Sequence, residues 1–337
     1  MLVPSSSRVA SRRSRHPLIP LAAVVSMLAA LAQAPAVRAE DAAAWLGRAA
    51  DAARSLNYAG TIVFQYGGRV ETSRLVHLND GGAEFEKLVN LEGPAREVIR
   101  SAGEVRCYYP DAKIVRIEPR TFRNVFPSLS PQQLTALTQF YEFRKAELAR
   151  VAGLEAQAYV FEPRDGMRYG HKFWADKSTG LLLKARLINE KSEVVEQFAF
   201  SDITIGVKLD RDQVKPTWST TPPDWQVRQG SAGEAVAQET GWVVMKIPPG
   251  FLKISEGFRT LRGKRETVAH LVYSDGLVAV SVFVEPLNAT TSSHAAGTLR
   301  QGGLNVFTLK LDDHLVTVLG EAPAVTVRQI AQSVVRR

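Results

Sequence analysis

Side chains that commonly carry enzyme chemistry are sparse in this sequence and show no catalytic spacing. The 337 residues include one cysteine and six histidines. The histidines are His16, His77, His171, His270, His294 and His314. No two of them stand at metal-ligand spacing, and the GxSxG, HExxH and GxGxxG motifs are absent. The sequence therefore predicts a protein that is not an enzyme and that uses no metal and no cofactor.

The single cysteine and two of the histidines have a structural interpretation. His77 and His171 fall in predicted strands, where a hydrogen-bonded structural histidine is favoured over a metal ligand. Cys107 lies in the run EVRCYY without a histidine beside it, which favours a small buried residue over a reactive thiol. One cysteine also excludes a disulfide framework, a CxxC redox pair and a thiolate-rich metal site.

A basic cluster lies in the second half of the chain. The segment Gly257–Lys264 resembles a phosphate-binding loop, but its spacing is one residue too long and Arg265 replaces the Ser or Thr that would hold magnesium. The cluster consists of Arg259, Arg262, Lys264 and Arg265. Two interpretations stay open: a solvated hairpin turn, or a contact for the phosphate of a lipid or for an acidic peptide, which the arginine fork suits.

An apolar segment around a proline is the candidate ligand pocket. TFRNVFPSLS (121–130) interrupts a series of strands and is followed by a helix predicted to begin at Ser130-Pro131. Its apolar side chains either close one end of the sheet as core or line a pocket between sheet and helix. The candidate pocket residues are Phe122, Val125, Phe126, Leu129, Leu134 and Leu137.

The start of the chain has the features of a secretory signal peptide. Residues 1–39 contain five arginines, no acidic residue, the apolar run LAAVVSMLAALA (21–32) and a small-residue exit at Val37-Arg38-Ala39. The run is too short for a membrane span, so we expect cleavage after Ala39 over retention as an amphipathic anchor. No cysteine follows the run, which excludes lipoprotein anchoring, and Arg12-Arg13 leaves the choice of export pathway open.

Removing the signal peptide also removes most of the positive charge. The full chain has a net charge of +8, and the loss of five arginines leaves +3, divided almost evenly along the remaining chain. This balance excludes a basic nucleic-acid-binding protein.

Alternating apolar and polar residues predict a large antiparallel sheet. About ten such runs follow one another between residues 58 and 203, and the first are separated by Gly67-Gly68 and Asp80-Gly81-Gly82. These glycines supply the positive φ of tight hairpins. A helix precedes the strands, with Asp41 as its cap and an apolar stripe from Trp45 to Leu56. We therefore predict an α+β fold, in which a strongly curved sheet carries helices on its concave face.

A second, smaller α+β domain is predicted beyond a linker. Residues 216–233 are rich in Pro, Ser, Thr and Gly and show no periodicity, which is typical of an interdomain linker. Strand patterns then recur, with an Asp275-Gly276 hairpin turn, and a C-terminal amphipathic helix is predicted from Pro323. The predicted division is a signal peptide at 1–39, a first domain at 40–215, the linker, and a second domain at 234–337.

Six segments, in order along the whole chain after residue 39, resemble the MucB/RseB proteins. They are NYAGTIVFQYGGRVETSRLVH (57–77), FRNVFPSL (122–129), HKFWADKSTGLLLKARLINEKSEVVEQFAFSDI (171–203), WVVMKIPPGF (242–251), YSDGLVAVSVFVEP (273–286) and VTVLGEAPAVTVRQIAQSV (316–334). No single segment is decisive, and the resemblance rests on their collinearity.

The resemblance implies a fold and a regulatory function. It implies an N-terminal half-open barrel like that of the lipoprotein carriers LolA and LolB, and a C-terminal domain that contacts the periplasmic part of a membrane-bound anti-sigma factor. It further implies a periplasmic protein that shields this anti-sigma factor from the site-1 protease. Lipopolysaccharide or another acyl lipid would release it, so that the sigma factor responds to envelope stress.

Two other functions compete with this one. A periplasmic lipid or lipoprotein carrier of the LolA type would use the same half-barrel, although a simple shuttle needs no second domain. An envelope enzyme is disfavoured, because no catalytic set is found. The expected partners are thus the anti-sigma periplasmic domain and an acyl lipid, with no nucleic acid, and homo-oligomer formation stays open.

Overall fold

The structure is a computed structural model that describes residues 34–101, 103–119, 137–218, 222–229, 236–260, 267–287 and 296–337. The described helices are α1 (Ala34–Ser55) and α2 (Ala324–Gln332). Short 3₁₀ turns span Pro110–Ala112 and Arg211–Val214, and residues 137–140 are also helical. Among the described residues, no helix combines the length and the apolar character needed to cross a membrane.

Twelve strands form a large sheet. They are β1 (Tyr58–Tyr66), β2 (Arg69–Asp80), β3 (Ala83–Asn90), β4 (Glu97–Arg100), β5 (Glu104–Tyr109), β6 (Ile114–Pro119), β7 (Tyr141–Val151), β8 (Leu154–Pro163), β9 (Gly170–Asp176), β10 (Leu182–Ile188), β11 (Val194–Ile205) and β12 (Gln226–Gln229). Their order across the sheet is β12-β6-β5-β4-β3-β2-β1-β11-β10-β9-β8-β7. Each strand pairs antiparallel with its neighbours except β12, which runs parallel to β6.

The small sheet and a two-stranded ribbon follow. They contain β13 (Val236–Ala237), β14 (Trp242–Val244), β15 (Leu252–Thr260), β16 (Thr267–Ser274), β17 (Ala279–Pro286), β18 (Gly297–Gln301), β19 (Leu304–Leu311), β20 (His314–Gly320) and β21 (Val334–Arg336). The small sheet has the order β13-β15-β16-β17-β20-β19-β18, and β14 pairs with β21. The predicted fold class, with one large antiparallel sheet and a smaller second sheet, is confirmed.

Helix α1 covers one face of the large sheet, which we call the inner face. Its sequence is rich in alanine, the residue with the highest helix propensity. Trp45, Ala49 and Ala52 are buried, as their spacing predicts, whereas Leu56 lies beyond the helix end. The helix runs through Asp41 instead of being capped there, because the preceding residues are also helical.

The two predicted glycine hairpins are confirmed. Gly67 and Gly68 join β1 to β2 with φ of 51° and 78°, and Gly81 and Gly82 join β2 to β3 with φ of 61° and 90°. A side chain at these positions would be strained, so glycine determines where the chain reverses.

Part of the segment predicted as a linker belongs to the large sheet. Strand β12 pairs with β6, with Gln226 opposite Ile114. Trp218 and Trp225 pack together at 5.3 Å between ring centroids, and Trp218 stacks on Tyr108 at 6.0 Å. Two indoles bury enough apolar area to hold an otherwise polar segment against the sheet, a contribution that composition does not reveal.

The core of the small sheet is closed by α2. Val327, Ile330 and Ala331 on this helix are at most 1% exposed and pack with valines of β17 and β20. The predicted amphipathic helix is therefore confirmed, although it begins at Ala324, one residue later than predicted, and Pro323 is its N-cap residue. Val334, whose spacing from Val327 and Ile330 predicts a continued helix, instead begins β21.

Candidate functional site

An aromatic cluster lies on the inner face beneath α1. The ring centroid of Trp45 lies 4.6 Å from that of Tyr159, 5.5 Å from Phe173, 5.9 Å from Phe161 and 6.3 Å from Phe143. These partners come from β7, β8 and β9, and Tyr159 and Phe161 share a face because side chains alternate along a strand. We call this set, which extends to Leu137 and Tyr141, the inner-face cluster.

One edge of the inner-face cluster is formed where residues 137–140 join β7. Leu137 is 2% exposed and Tyr141 is 1% exposed, and Phe140 packs beside them. Leu277, in the turn between β16 and β17, also packs against this cluster. The cluster therefore receives a side chain from the small sheet as well as from the large one.

A cavity of about 260 Å³ opens beside Trp45, just below the roughly 300–1,000 Å³ typical of ligand pockets. Its apolar lining includes Trp45, Tyr159 and Ala175. Its polar lining consists of Arg48, Lys145, Gln157, Asp176, Lys177, Ser178, Thr179 and Gly180. The three basic side chains belong to exposed residues, so an apolar floor meets a rim with an excess of positive charge. This arrangement suits an amphiphile with an apolar tail and an anionic head.

The carboxylate of Asp176 lies among these basic side chains, but it is held by hydrogen bonds within its own turn. Its Oδ2 accepts hydrogen bonds from the hydroxyls of Ser178 at 2.5 Å and Thr179 at 2.7 Å, and from the Thr179 amide at 2.8 Å. Although burial opposes it, these donors together lower the pKa of Asp176. The carboxylate therefore shapes the turn between β9 and β10.

A buried polar cluster joins the two sheets at Arg168. Its Nη1 lies 3.0 Å from Oδ2 of Asp275, its Nε lies 3.1 Å from Asp165, and its Nη2 donates to the Pro249 carbonyl at 2.6 Å. The side chains of Arg168 and Asp275 are both 0% exposed. Each of the three guanidinium nitrogens therefore has a polar partner, as a buried charge requires.

Aromatic rings enclose the same guanidinium. Its carbon lies 4.7 Å from the ring centroid of Phe140, 5.2 Å from Phe251 and 5.5 Å from Tyr141. A cation near desolvated ring faces is attracted by the ring quadrupole, which offsets part of the loss of hydration. Arg168 thus lies between residues of both sheets.

The carboxylate of Asp275 has two roles. Its Oδ1 accepts from the amides of Leu277 at 3.0 Å and Val278 at 2.9 Å, which shapes the turn. Its Oδ2 accepts from Arg168 and from the Tyr141 hydroxyl at 3.0 Å. Burial raises the pKa of Asp275 and outweighs the opposing hydrogen bonds and the Arg168 charge. Burial, with the Asp275 charge adding to it, raises the pKa of Tyr141.

A second contact joins β11 to the turn between β18 and β19. Oε1 of Glu196 accepts from the Gly303 amide at 3.0 Å. Burial, helped by the nearby Glu321, raises the pKa of Glu196 to about 7. Gly67, in the turn between β1 and β2, also lies against this turn: a Cβ on Gly67 would lie 3.0 Å from the Gly302 nitrogen, so the backbones of the two turns are in contact.

Two further hydrogen bonds cross between the sheets. The Asn305 side chain donates to the Tyr169 hydroxyl at 2.9 Å, and it also donates within the small-sheet half to the Ala322 carbonyl at 2.8 Å. The Thr326 hydroxyl donates to the Met167 carbonyl at 2.7 Å. Met167, Arg168 and Tyr169 therefore form one short segment that binds several parts of the small-sheet half.

Among the predicted pocket residues, Leu137 is placed in the inner-face cluster. Phe122, Val125, Phe126, Leu129 and Leu134 lie outside the described residues. In the basic cluster, Arg259 lies in β15, where its charge helps burial lower the pKa of His270 to about 4. Arg262, Lys264 and Arg265 lie outside the described residues.

His77, His171 and Cys107 are structural residues, although among the described residues Nε2 of His171 has no hydrogen-bond partner, contrary to the expected hydrogen-bonded ring. His77 Nδ1 lies 2.9 Å from the Leu56 carbonyl, and its ring stacks on Tyr58. His171 is buried, and burial lowers its pKa to about 4, so it is neutral near pH 7. Burial also raises the pKa of the half-buried Cys107 thiol. Within the described part of the chain, no three His, Cys, Asp or Glu residues could together hold a metal ion.

The sequence did not point to the Arg168–Asp275 pair. The two residues are 107 positions apart, and Asp275 was predicted only as part of a hairpin turn. A lone arginine in GMRYG carries no signal of burial, since arginine is usually exposed. The pair is visible only after the two sheets are brought together.

Comparisons with known proteins cover nearly all of the described chain. A family model for the MucB/RseB N-terminal domain matches residues 41–218, and one for the MucB/RseB C-terminal domain matches residues 236–335. The sigma factor AlgU regulatory protein MucB of Pseudomonas aeruginosa is 32% identical, over 91% of this chain and 95% of its own length. The sigma-E factor regulatory protein RseB of Escherichia coli K12 is 26% identical, over 84% and 87%.

Solved structures agree with these sequence matches. The complex of Pseudomonas aeruginosa MucA and MucB aligns with a TM-score of 0.67 and 30% identity, covering 88% of this chain and 99% of that chain. A crystal structure of MucB aligns with a TM-score of 0.60 and 30% identity, covering 88% and 98%. Because two family models together match most of the chain, in order, the protein belongs to the MucB/RseB family.

Proposed function

We propose that this protein is a periplasmic negative regulator of an envelope-stress sigma factor. It binds the periplasmic part of a membrane anti-sigma factor, protects it from site-1 proteolysis and is released by an acyl lipid. The observation that carries the proposal is the alignment with MucB solved in complex with MucA(peri), at a TM-score of 0.67 over 99% of that chain. The match includes both sheets, as a regulator with two cooperating parts requires.

The domain division supports this function. The two family-model ranges, 41–218 and 236–335, agree with a boundary between the large and the small sheet. In this proposal the large-sheet domain binds lipid and the small-sheet domain contacts the anti-sigma factor. Strand β12 lies between the two ranges and extends the large sheet.

The inner-face cluster and its cavity support a lipid as the releasing signal. Trp45 and Tyr159 offer an apolar surface, and Arg48, Lys145 and Lys177 offer positive charge beside it. An acyl chain against the aromatic rings would place a phosphate or carboxylate near these side chains. Of the apolar candidates predicted from the sequence, Leu137 lies in this cluster, whereas Phe122, Val125, Phe126, Leu129 and Leu134 lie outside the described residues and stay candidates for the site.

The first residues support the proposed periplasmic location. The arginines, the apolar run and the small residues at the expected cleavage site in residues 1–39 support export across the inner membrane. A protein whose partner's periplasmic segment is its target must share that compartment.

A protection assay tests the regulatory function. The purified protein is added to the periplasmic fragment of the anti-sigma factor and its site-1 protease, and cleavage is followed over time. We expect cleavage to slow as the protein saturates the fragment, and to recover when lipopolysaccharide is added. Unchanged cleavage at saturating protein would refute the proposal.

Charge reversal tests the lipid site within that assay. Lys145→Glu combined with Lys177→Glu should raise the lipopolysaccharide concentration needed for release by at least about threefold, since each surface pair is worth up to about 1 kcal/mol. Lys191→Glu combined with Lys208→Glu is the matched control, because it makes the same change in net charge and both lysines are exposed and lie outside the cavity lining. Equal shifts in both proteins would show that only net charge matters.

A lipid carrier is the second candidate, since the cavity beside Trp45 would serve it equally well. Transfer of a fluorescent lipid between vesicles distinguishes the two functions. Rapid transfer without protection of the anti-sigma fragment would favour the carrier, whereas protection with slow transfer favours the regulator.

A further inference from the structure

Leu277 belongs to two hydrophobic clusters at once. It packs against the core of the small sheet, beside residues such as Tyr273 and Val278, and also against the inner-face cluster of the large sheet. It is half-buried and lies in the short turn that joins β16 to β17. A single turn of the small sheet therefore fills space at the edge of the proposed lipid site.

This turn is held rigid by its own hydrogen bonds. Asp275 accepts from the amides of Leu277 and Val278, and the Ser274 hydroxyl accepts from the Gly276 amide at 3.0 Å. Gly276 has a φ of 104°, which favours glycine at this position. Leu277 is therefore presented in one fixed position.

The same turn is fixed to the large sheet through a single carboxylate. Oδ2 of Asp275 binds the buried Arg168 and the hydroxyl of Tyr141, each at 3.0 Å. If this contact opens, Arg168 keeps only Asp165 and the Pro249 carbonyl, and Asp275 keeps only the turn amides, so partial opening of the buried pair is costly and the contact favours being either formed or broken. Such a contact has two discrete states, as a switch requires.

A continuous set of contacts connects this carboxylate to the lipid site. The ring of Tyr141 lies 6.4 Å from that of Phe161, which in turn lies 5.9 Å from Trp45. An apolar chain that extends from the cavity beside Trp45 between these rings would reach the edge of the inner-face cluster where Leu277 and Tyr141 pack. Displacing Leu277 or moving Tyr141 there would act directly on the contact with Asp275.

We propose that the turn Asp275–Val278 is an internal plug of the lipid site: Leu277 occupies a position that an acyl chain would take, and ligand entry expels the turn and breaks the Arg168–Asp275–Tyr141 contact. The small sheet is thereby released from the large sheet when lipid binds. This inference rests on the proposed function, because it assumes that the inner-face cluster receives an acyl chain. It adds the device by which occupancy of one half is transmitted to the other.

Removing the plug should make the site easier to occupy. We expect Leu277→Ala to bind a dansyl-labelled fatty acid about 5- to 10-fold more tightly than the wild type, because less of the binding energy is spent on displacing the turn. Leu309→Ala is the matched control: Leu309 is also half-buried but packs against the small-sheet core alone. It should change the affinity by less than about twofold.

A second variant separates plugging from simple loss of packing. Asp275→Asn keeps Leu277 and an oxygen that can accept from the turn amides, but removes the charge that binds Arg168. It should also tighten binding of the probe, although it alters no residue of the inner-face cluster itself. Circular dichroism of all three variants must match the wild type at the temperature of the measurement.

Hydrogen exchange provides the direct readout. In the wild type, a saturating amount of the fatty-acid probe should speed exchange at the amides of Leu277 and Val278 at least about tenfold, while amides within β19 keep their rates. No measurable probe binding by wild type and Leu277→Ala, equal affinities of Leu277→Ala and Leu309→Ala, or unchanged exchange at the turn would each overturn the plug. The anti-sigma protection assay is separate: a protein that fails to protect while showing the expected exchange would refute the proposed regulator and leave the plug intact.

Discussion

Replacement of Arg168 by methionine tests how the two sheets are held together. Methionine keeps an unbranched apolar stem among Phe140, Tyr141 and Phe251, whose rings lie 4.7–5.5 Å from the guanidinium. It removes the bonds to Asp275, Asp165 and the Pro249 carbonyl.

The expected loss follows from burial. Asp275 is 0% exposed and would be left with the Tyr141 hydroxyl and two backbone amides as its partners. Removing one partner of a buried pair costs about 3–5 kcal/mol, and we expect Arg168→Met to lower the free energy of unfolding by that amount. Asp275→Asn should cost about 3 kcal/mol, because it leaves the buried guanidinium with one carboxylate fewer.

The double variant decides whether the pair acts as a unit. With both charges removed, no uncompensated buried charge remains, so the double variant should be about 2 kcal/mol more stable than the sum of the single losses predicts. Urea unfolding followed by tryptophan fluorescence and by far-UV circular dichroism measures each free energy, provided that the two transitions coincide.

An exposed pair of the large sheet is the matched control. Lys177 and Glu155 lie 3.3 Å apart with side chains 56% and 75% exposed. Lys177→Met and Glu155→Gln should each change stability by less than about 1 kcal/mol, with no measurable coupling. Additivity at Arg168 and Asp275 within about 0.5 kcal/mol would refute the view that this buried contact links the sheets cooperatively.

Three further predictions concern pH and backbone space. The pKa of Glu196 is raised to about 7, so its contribution to the free energy of unfolding is lost as the pH rises from 4.5 to 7. Glu196→Gln should therefore stabilise the protein by about 1 kcal/mol at pH 8, after solvent screening, and should not stabilise it at pH 4.5. Thermal unfolding at the two pH values measures this difference. Burial lowers the pKa of His171 to about 4 from its ordinary 6.5, so the free energy of unfolding should fall by about 3 kcal/mol as the pH drops from 6.5 to 4. His171→Phe should make the free energy of unfolding, measured by urea titration, less dependent on pH in this range. An unchanged pH dependence would contradict a buried, neutral His171. A Cβ on Gly250 would lie 2.4 Å from the Phe140 ring, so Gly250→Ala should lower the unfolding midpoint by several degrees more than Gly241→Ala, which has a similar positive φ but open space around it.

Local elements of the fold were predictable because their signals are short-range. The stripe containing Trp45, Ala49 and Ala52 defines the buried side of α1, and Gly67-Gly68 predicts a hairpin because glycine readily adopts the positive φ of its turn. Residues 216–233 were more difficult, because the four residues of β12 are too few to show a period, and Trp218 packs against a strand far away in sequence. The candidate site was predicted only in part: Leu137 joins the inner-face cluster, while Trp45 was assigned to an ordinary core stripe.

By itself, the sequence determined the class of protein. A distributed, collinear resemblance indicated the family, the paucity of catalytic side chains argued against an enzyme, and hydrophobic periodicity predicted two β-rich parts. Only the tertiary structure decided how these parts meet. Arg168 and Asp275 look like ordinary surface residues in the sequence, and nothing local distinguishes Leu277 from any other turn residue. Arg168 and Asp275 are buried against each other although 107 positions separate them in the sequence. The physical reason is that helix and hairpin signals act over a few residues, whereas the contact between the sheets requires long-range packing to exclude water from a charge pair.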